Sequence, residues 1–419
     1  MTATALLLLI ESNTTGTGRQ FARRARDLGI EPVLVSADPA RYPYVAEDGL
    51  RTALTSTSNE AAVLATARKL AERAPIAGVT SSSEYYVATA AATAHRLGLP
   101  GPEADAVSAC RDKYRQRRVL GALGVPVPRF VFAEDVDGAV RAAAELGHPV
   151  VLKPVQGSGS LGVRLCTNPA ETAAHAAELT AAVVNERGVT VPRGLLVEQY
   201  ARGTEYSVEV LGEDVVAVVR KHLGPLPDFV ELGHDLPAVL HPAAEARIKD
   251  VAVRAVRALR LGWGAAHVEL RKDGDEIRVI EVNPRLAGGM IPELVHRALG
   301  VDLVGAQVLA ALGRPAAPAS GPARSAAIRF LTAERPGVLA DADASEAALS
   351  AARTAPGVVD ATLYRAPGEQ VAPAQDFRGR LGHVIAVTDD TAAGPAADRG
   401  RQELAAALDV RTTQKAAAL

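Results

Sequence analysis

Glu281 and Asn283 stand two residues apart in the apolar run Val279-Ile-Glu-Val-Asn-Pro-Arg-Leu-Ala-Gly-Gly289. On a strand, residues two apart point to the same face. A carboxylate and an amide on one face offer hard oxygen donors, which suit Mg²⁺, the cation that travels with nucleotide phosphates. Arg285 follows at the same parity after Pro284, and its guanidinium can hold a phosphoryl or carboxylate oxygen bidentately. Glu269 ends a second apolar run, His267–Leu270, and the turn Lys272-Asp-Gly-Asp-Glu276 joins the two as a hairpin. That hairpin sets Glu269 beside Glu281, which is costly unless a cation lies between them.

Four further groups of residues could do chemistry. The first is a glycine-rich turn, Gly157-Ser-Gly-Ser-Leu-Gly162, which follows the strand-like Pro149–Lys153. Gly157, Gly159 and Gly162 let backbone N–H groups converge on phosphate oxygens, and Ser158 and Ser160 are small enough for close approach. No Gly-Lys-Ser/Thr ends the turn, so it is not a Walker A loop. The second is a lysine pair. Lys153 ends the apolar run beside this loop, and Lys113 lies on a helix expected over about Asp105–Leu123; each can neutralise a phosphate. The third is Val197-Glu-Gln-Tyr200 followed by Gly203-Thr-Glu-Tyr-Ser207. This reads as a hinge whose backbone at Glu198–Tyr200 can meet an adenine edge, with Glu205 near ribose hydroxyls. The fourth is Phe229–Pro237, an apolar, proline-flanked loop carrying Glu231 and His234. Its carboxylate could hold an ammonium group, and its imidazole a carboxylate or a proton.

The elements that must position these groups divide the chain. With 419 residues it is too long for one core. Strands at Ala5–Ile10, Pro32–Ser36 and Ile76–Val79 alternate with helices over about Arg19–Leu28 and Ala61–Glu72, which predicts an open parallel α/β sheet. Gly16-Thr-Gly18, with Asp38 twenty residues on, has the offset of a ribose-binding turn, but Phe21 stands where that fingerprint needs Gly or Ala. An NAD-dependent oxidoreductase is therefore one rival reading, and it leaves Lys153, Glu269, Glu281 and Asn283 without a task. Helices over about Ala139–Leu146 and Ala170–Asn185 and strands at Val163–Cys166, Leu195–Tyr200, Glu205–Leu211 and Val215–Lys221 follow. Residues Gly313–Pro322 read as a linker. Strands at Ala326–Leu331 and Gly382–Val387 belong to a small α+β tail.

Composition excludes some classes. A net charge of −2 with no basic run argues against nucleic acid as the main partner. The two cysteines, Cys110 and Cys166, supply neither a disulfide framework nor a zinc cluster. The run Ala5–Ile10 is too short for a membrane span and lacks the flanks of a signal peptide. A cytoplasmic protein with no membrane partner is the expectation, and a homodimer is the commonest assembly for such a chain. His148, His267 and His296 have no metal-ligand spacing, and Trp263 is expected to pack.

Taken in order, a helix lysine, a lysine before a glycine loop, a hinge glutamate, a ribose glutamate and then Glu…Glu-x-Asn-Pro-Arg resemble the ATP-grasp superfamily of carboxylate–amine ligases. The resemblance runs from the first strand to about residue 310. It implies four regions: an N-terminal Rossmann-like domain (1–104), an ATP-grasp small lobe with the glycine-rich loop (105–190), a large lobe with the metal site (191–312) and a C-terminal α+β domain (323–419). It implies ATP phosphates on Lys113, Lys153 and the loop Gly157–Gly162, adenine near Glu198 and Tyr200, and ribose on Glu205. Glu269, Glu281 and Asn283 would hold two Mg²⁺ ions, for which Mn²⁺ can substitute. Phe229–His234 with Asn283-Pro-Arg285 is similar to the L-amino-acid ligases, or dipeptide synthases, where the equivalents of Glu231, His234 and Arg285 contact the amino acid or the acyl-phosphate. A bulky aromatic that closes the first substrate's pocket in some of those enzymes falls at Gly289 here, which implies room for a larger carboxylate donor. The activity implied is ADP-forming amide synthesis between a small carboxylate and an amine through an acyl-phosphate. Ligases that act on bicarbonate or a non-amino-acid acceptor share this ATP machinery. A non-catalytic nucleotide-binding regulator would be expected to lose a metal ligand, and all three are present.

Overall fold

The computed structural model describes residues 4–13, 17–184, 190–315, 321 and 323–407. Gly16 of the first turn, most of the Gly313–Pro322 linker, the end of the expected Ala170–Asn185 helix and the last residues of the tail lie outside the described residues. Eighteen strands are described: β1 (Leu6–Ile10), β2 (Glu31–Ser36), β3 (Arg51–Leu54), β4 (Ile76–Thr80), β5 (Phe130–Ala133), β6 (Val150–Pro154), β7 (Arg164–Cys166), β8 (Leu195–Gln199), β9 (Thr204–Leu211), β10 (Asp214–Leu223), β11 (Glu231–Leu236), β12 (Ala265–Asp273), β13 (Glu276–Asn283), β14 (Ser325–Thr332), β15 (Gly337–Val338), β16 (Val358–Leu363), β17 (Gln370–Val371) and β18 (Arg380–Thr388).

The N-terminal sheet is parallel, in the order β3-β2-β1-β4. Five consecutive buried residues in β1, Leu6–Ile10, place it at the centre, covered on both faces. Asp38 caps the turn Pro39–Arg41, accepting from the Ala40 N–H at 3.2 Å, and it is exposed. At the end of β1, buried Glu11 accepts hydrogen bonds from Ser36 Oγ, Tyr42 Oη, Thr57 Oγ1 and the Ala37 N–H at 2.6–2.8 Å. That set of donors satisfies a buried carboxylate without a cation.

A second sheet, β5-β8-β6-β7, is antiparallel and carries Lys153 near the end of β6 and Glu198 near the end of β8. The helix expected over Asp105–Leu123 is two helices, Ala104–Cys110 and Lys113–Ala122. The break lies at Arg111–Asp112 because Asp112 caps the second helix, accepting from the Arg115 N–H at 3.0 Å. Lys113 therefore opens a helix. The alanine-rich helix ends at Ala181, and Asn168 caps its start.

The third sheet has eight antiparallel strands in the order β13-β12-β9-β10-β11-β14-β18-β16. Two expectations change here. The Phe229–Pro237 segment is not a loop: from Glu231 to Leu236 it is β11, paired with β10 on one side and β14 on the other. Gly233 and the flanking prolines hide a strand that exists because both of its edges are filled. The tail strands β14, β18 and β16 also extend the central sheet, while two short strands, β15 and β17, pair apart. A side chain at Gly233 would put its Cβ 2.4 Å from the Ile328 carbonyl and 2.9 Å from Arg329 Cδ, so β11 and β14 approach closely there. Gly233→Ala is accordingly expected to destabilise the protein by about 1–3 kcal/mol through overpacking against backbone. The urea unfolding midpoint reads this, and an unchanged midpoint would show that the two strands are not held as described.

Among the described residues no single helix is long and apolar enough to cross a membrane. Cys110 and Cys166 are both buried and unpaired. Trp263 packs, partly buried, against the core around β1, β14 and the helix Ile291–Leu299.

Candidate active site

One cleft of about 850 Å³, its mouth included, opens between the two antiparallel sheets. Lys113, Lys153, Gly157–Ser160, Glu198, Tyr200, Glu205, Glu231, Glu269, Glu281, Asn283 and Arg285 all line it. Of the residues singled out in the sequence, Gly162 closes the loop with φ +70°, and His234 lies fully buried beside Glu231. A cleft that gathers residues from 113 to 285 is built by tertiary folding, since no local segment holds more than a few of them.

The floor of the cleft is the β12–β13 hairpin. Glu269 pairs with Glu281, as the hairpin reading expected, and His267 with Asn283, in a register that a β-bulge between Glu269 and Leu270 sets. Each carboxylate has side-chain partners of its own. Glu281 takes Lys113 Nζ at 2.8 Å, while Glu269 takes Lys221 Nζ and His267 Nε2, each at 3.0 Å. Lys221 is a residue that pattern reading passed over. It lies on β10, is buried, and reaches three carboxylates: Glu205 at 2.9 Å, Glu231 at 2.7 Å and Glu269 at 3.0 Å. Burial opposes its charge, but those three carboxylates raise its pKa well above that of an ordinary lysine. The same ion cluster outweighs burial at Glu231 and holds its carboxyl well below the usual range. The alternation of β10 carried a signal: Val219, Lys221 and Leu223 share a parity, and a lysine on a buried parity needs partners.

Two more basic residues were missed. Arg117 has no exposed surface, and its Nε meets Glu198 Oε1 at 2.6 Å, while Lys153 Nζ meets Glu198 Oε2 at 2.5 Å. Glu198 therefore spends both oxygens on fixing cations, and it touches the cleft as the anchor of Lys153. Burial lowers the pKa of Lys153, against the pull of Glu198. Arg117→Ala leaves Glu198 half-paired in a buried place, so a loss of about 3–5 kcal/mol in unfolding free energy is expected. A loss no larger than that of an exposed ion pair, below about 1 kcal/mol, would contradict this account. Arg271 is the other: its Nε bonds Glu205 at 2.9 Å, and its guanidinium stacks over Tyr200 and Phe229 at 5.4 and 5.2 Å.

Arg285 couples three parts of the chain. Its Nε bonds Glu84 from the N-terminal region, Nη1 donates to the Leu286 carbonyl at 2.8 Å, and Nη2 reaches Ser158 Oγ in the glycine loop at 3.3 Å. Glu84 is buried, and Arg285 and Arg111 hold its pKa down against burial. On the opposite side, His234 has no hydrogen-bond partner on either ring nitrogen among the described residues. Burial pushes its pKa down to about 3, so the ring is neutral. A Cβ at Gly289 would sit 2.5 Å from His234 Nε2 and 3.6 Å from Glu231 Oε2, so the backbone of Gly289 packs directly against this pair and leaves no space for a side chain.

The matches to known proteins follow this layout. Residues 146–293 match the ATP-grasp domain, residues 22–101 the ATP-grasp N-terminal domain, and residues 329–412 the L-amino acid ligase C-terminal domain 2. The chain belongs to the ATP-grasp superfamily of ligases. Uncharacterized protein y4rH of Sinorhizobium fredii is 39% identical over 91% of this chain and 78% of its own length. Carnosine synthase 1 of Gallus gallus is 31% identical over 74% of this chain, which spans only 35% of that protein. The L-amino acid ligase structure from Bacillus licheniformis superposes with a TM-score of 0.77 over 99% of this chain and 100% of that one, at 21% identity, which is a likeness of fold. The C-terminal region is thus similar to that of the L-amino acid ligases. The biotin carboxylase domain of the Hydrogenobacter thermophilus 2-oxoglutarate carboxylase, which superposes with a TM-score of 0.65 over 93% of this chain and 87% of that one at 19% identity, is solved in complex with MgADP, ADP and bicarbonate. Membership removes the oxidoreductase reading, whose support was Gly16, Gly18 and Asp38.

Proposed function

We propose that this ATP-grasp protein joins the carboxylate of an amino acid or related acid to an amine, with release of ADP and phosphate. The observation that carries the reading is the meeting of Lys113, Lys153, Lys221 and Arg285 with Glu269, Glu281 and Asn283 around one cleft, next to His234, whose ring nitrogens have no hydrogen-bond partner among the described residues. The donor set fits Mg²⁺: two carboxylates on register-paired strands and an amide two residues on, all hard oxygens. Among the described residues no three His, Cys, Asp or Glu side chains converge as a metal cage, so the amide oxygen of Asn283 would be needed. Bound there, the metal would draw charge from the phosphate oxygens during transfer.

The chain's own groups divide the rest of the work. Lys113 and Lys153 offset the repulsion between a donor carboxylate and the triphosphate. Gly157–Ser160 cover the phosphates and exclude water. A carboxylate oxygen of the donor forms a bond to the γ-phosphorus as the bond to the bridging oxygen of ADP breaks. The amine then attacks the acyl carbon, loses a proton and expels phosphate. Arg285 stands where the developing oxyanion can be met from the loop side, and Glu231 with His234 lies where an ammonium and a neutral acceptor would be read. Glu198 and Tyr200 border the adenine end of the cleft, and Glu205 the ribose. Much of the rate would come from positioning, since no side-chain nucleophile is required.

Incubation of the purified protein with Mg-ATP and a pool of amino acids and small carboxylic acids, read by mass spectrometry, tests this. ADP, phosphate and a mass equal to two pool members less water are expected. AMP with pyrophosphate would refute the acyl-phosphate route.

A further inference from the structure

The glycine-rich loop is held from four sides, and one of them belongs to the C-terminal segment. Lys113 Nζ donates to the Gly157 carbonyl at 2.8 Å, Arg285 reaches Ser158, and Ser160 Oγ donates to the Phe229 carbonyl at 3.1 Å. At Gly159, where φ is +67°, a Cβ would lie 2.5 Å from Phe377 Cδ1 and 2.9 Å from Cε1, so the aromatic ring of Phe377 rests on the loop backbone. Phe377 opens a single helical turn, Phe377–Gly379, capped by Asp376, whose carboxylate takes the Arg378 N–H at 2.8 Å and the Arg378 guanidinium at 2.7–2.9 Å. The next residue, Arg380, begins β18. Its guanidinium stacks on Phe330 at 3.7 Å and donates to the Glu231 carbonyl at 3.0–3.2 Å and to Glu231 Oε2 at 3.0 Å.

We infer that this turn is a working part of the cleft: Phe377 positions the glycine-rich loop over the phosphates, Arg380 positions Glu231, and one short rigid element sets both. The inference rests on the ligase reading for the part played by Glu231, and on the fold alone for the loop. Neither residue lines the cleft, so both are positioning residues. Only two residues, Arg378 and Gly379, separate Phe377 from Arg380, and the capped turn leaves little freedom between them.

The test uses the full chain and the variants Phe377→Ala, Phe377→Leu, Arg380→Gln and Arg380→Lys. Hydrogen exchange of residues 157–162 is measured without nucleotide, Mg-ATP affinity by titration calorimetry, and KM for each substrate once turnover is established. In Phe377→Ala the loop amides should exchange faster, and Mg-ATP bind more weakly, by about tenfold, the ratio one aromatic contact carries. Phe377→Leu should fall between, and protection in β9–β12 should not move. Arg380→Gln should raise KM for the carboxylate donor with Mg-ATP affinity unchanged, and Arg380→Lys should recover part of it. Unchanged loop exchange and Mg-ATP affinity in both Phe377 variants would overturn the inference. So would a loss in Arg380→Gln that falls equally on ATP and donor. If the wild-type chain bound Mg-ATP but formed no amide, the ligase reading would fail, while the Phe377 variants would still decide the role of the turn. Should Phe377→Ala not fold, the same exchange and affinity shifts in Phe377→Leu carry the decision.

Discussion

Glu281→Gln is expected to lower kcat for Mg-ATP turnover by about a hundred- to a thousandfold, the cost of one preorganised electrostatic group at a reacting phosphate. The substitution keeps the shape and hydrogen-bonding reach of the side chain and removes only its charge. Two things are lost with that charge. Glu281 anchors Lys113 at 2.8 Å, so the lysine loses the partner that aims it. It also stands in register opposite Glu269, so the pair would hold a divalent cation with one carboxylate fewer. The Mg²⁺ concentration for half-maximal activity should therefore rise together with the loss in kcat. Steady-state ADP release measured against Mg²⁺ reads both quantities. Glu276→Gln, an exposed change at the other end of the same strand, is the control. An Mg²⁺ requirement identical to that of the wild type would remove Glu281 from the metal site.

The second large effect is on stability. Lys221 is the common partner of Glu205, Glu231 and Glu269, and its side chain is 2% exposed. Lys221→Met fills the space and removes the charge. Glu205 keeps Arg271, Glu231 keeps Arg380 and Glu269 keeps His267, so no carboxylate is left wholly unpaired. Each nevertheless loses its link to the centre of the cluster, and a loss of about 3–5 kcal/mol is expected, as for breaking a buried ion pair. Glu231→Gln added to Lys221→Met should return part of it, because one buried negative charge is then gone from a cluster that has lost its central cation. A double-mutant cycle on urea unfolding measures this coupling. Strict additivity of the two changes would mean that the cluster is not a unit.

The sequence by itself determined the chemistry-bearing hairpin. Its short polar turn marks β12 and β13 as partners, but the turn alone, with Asp273 opposite Glu276, would pair Glu269 with Ile280, and a β-bulge between Glu269 and Leu270 is what sets Glu269 opposite Glu281. The sequence also determined the parallel first sheet, whose central strand is an unbroken apolar run, and the glycine loop beside Lys153. Boundaries set by capping were less legible: Asp112 splits a helix that composition runs together. Only the tertiary structure decided which cation serves which carboxylate. Lys221, Arg117 and Arg271 lie far in sequence from parts of the clusters they hold, and a lone basic residue in an apolar run carries no sign of its partner. Likewise β11 is a strand because β10 and β14 close on both sides of it, and the tail joins the central sheet because β14 pairs with it. Local patterns record which face a residue turns to. Long-range pairing and the demand that buried charge be matched decide what that face meets.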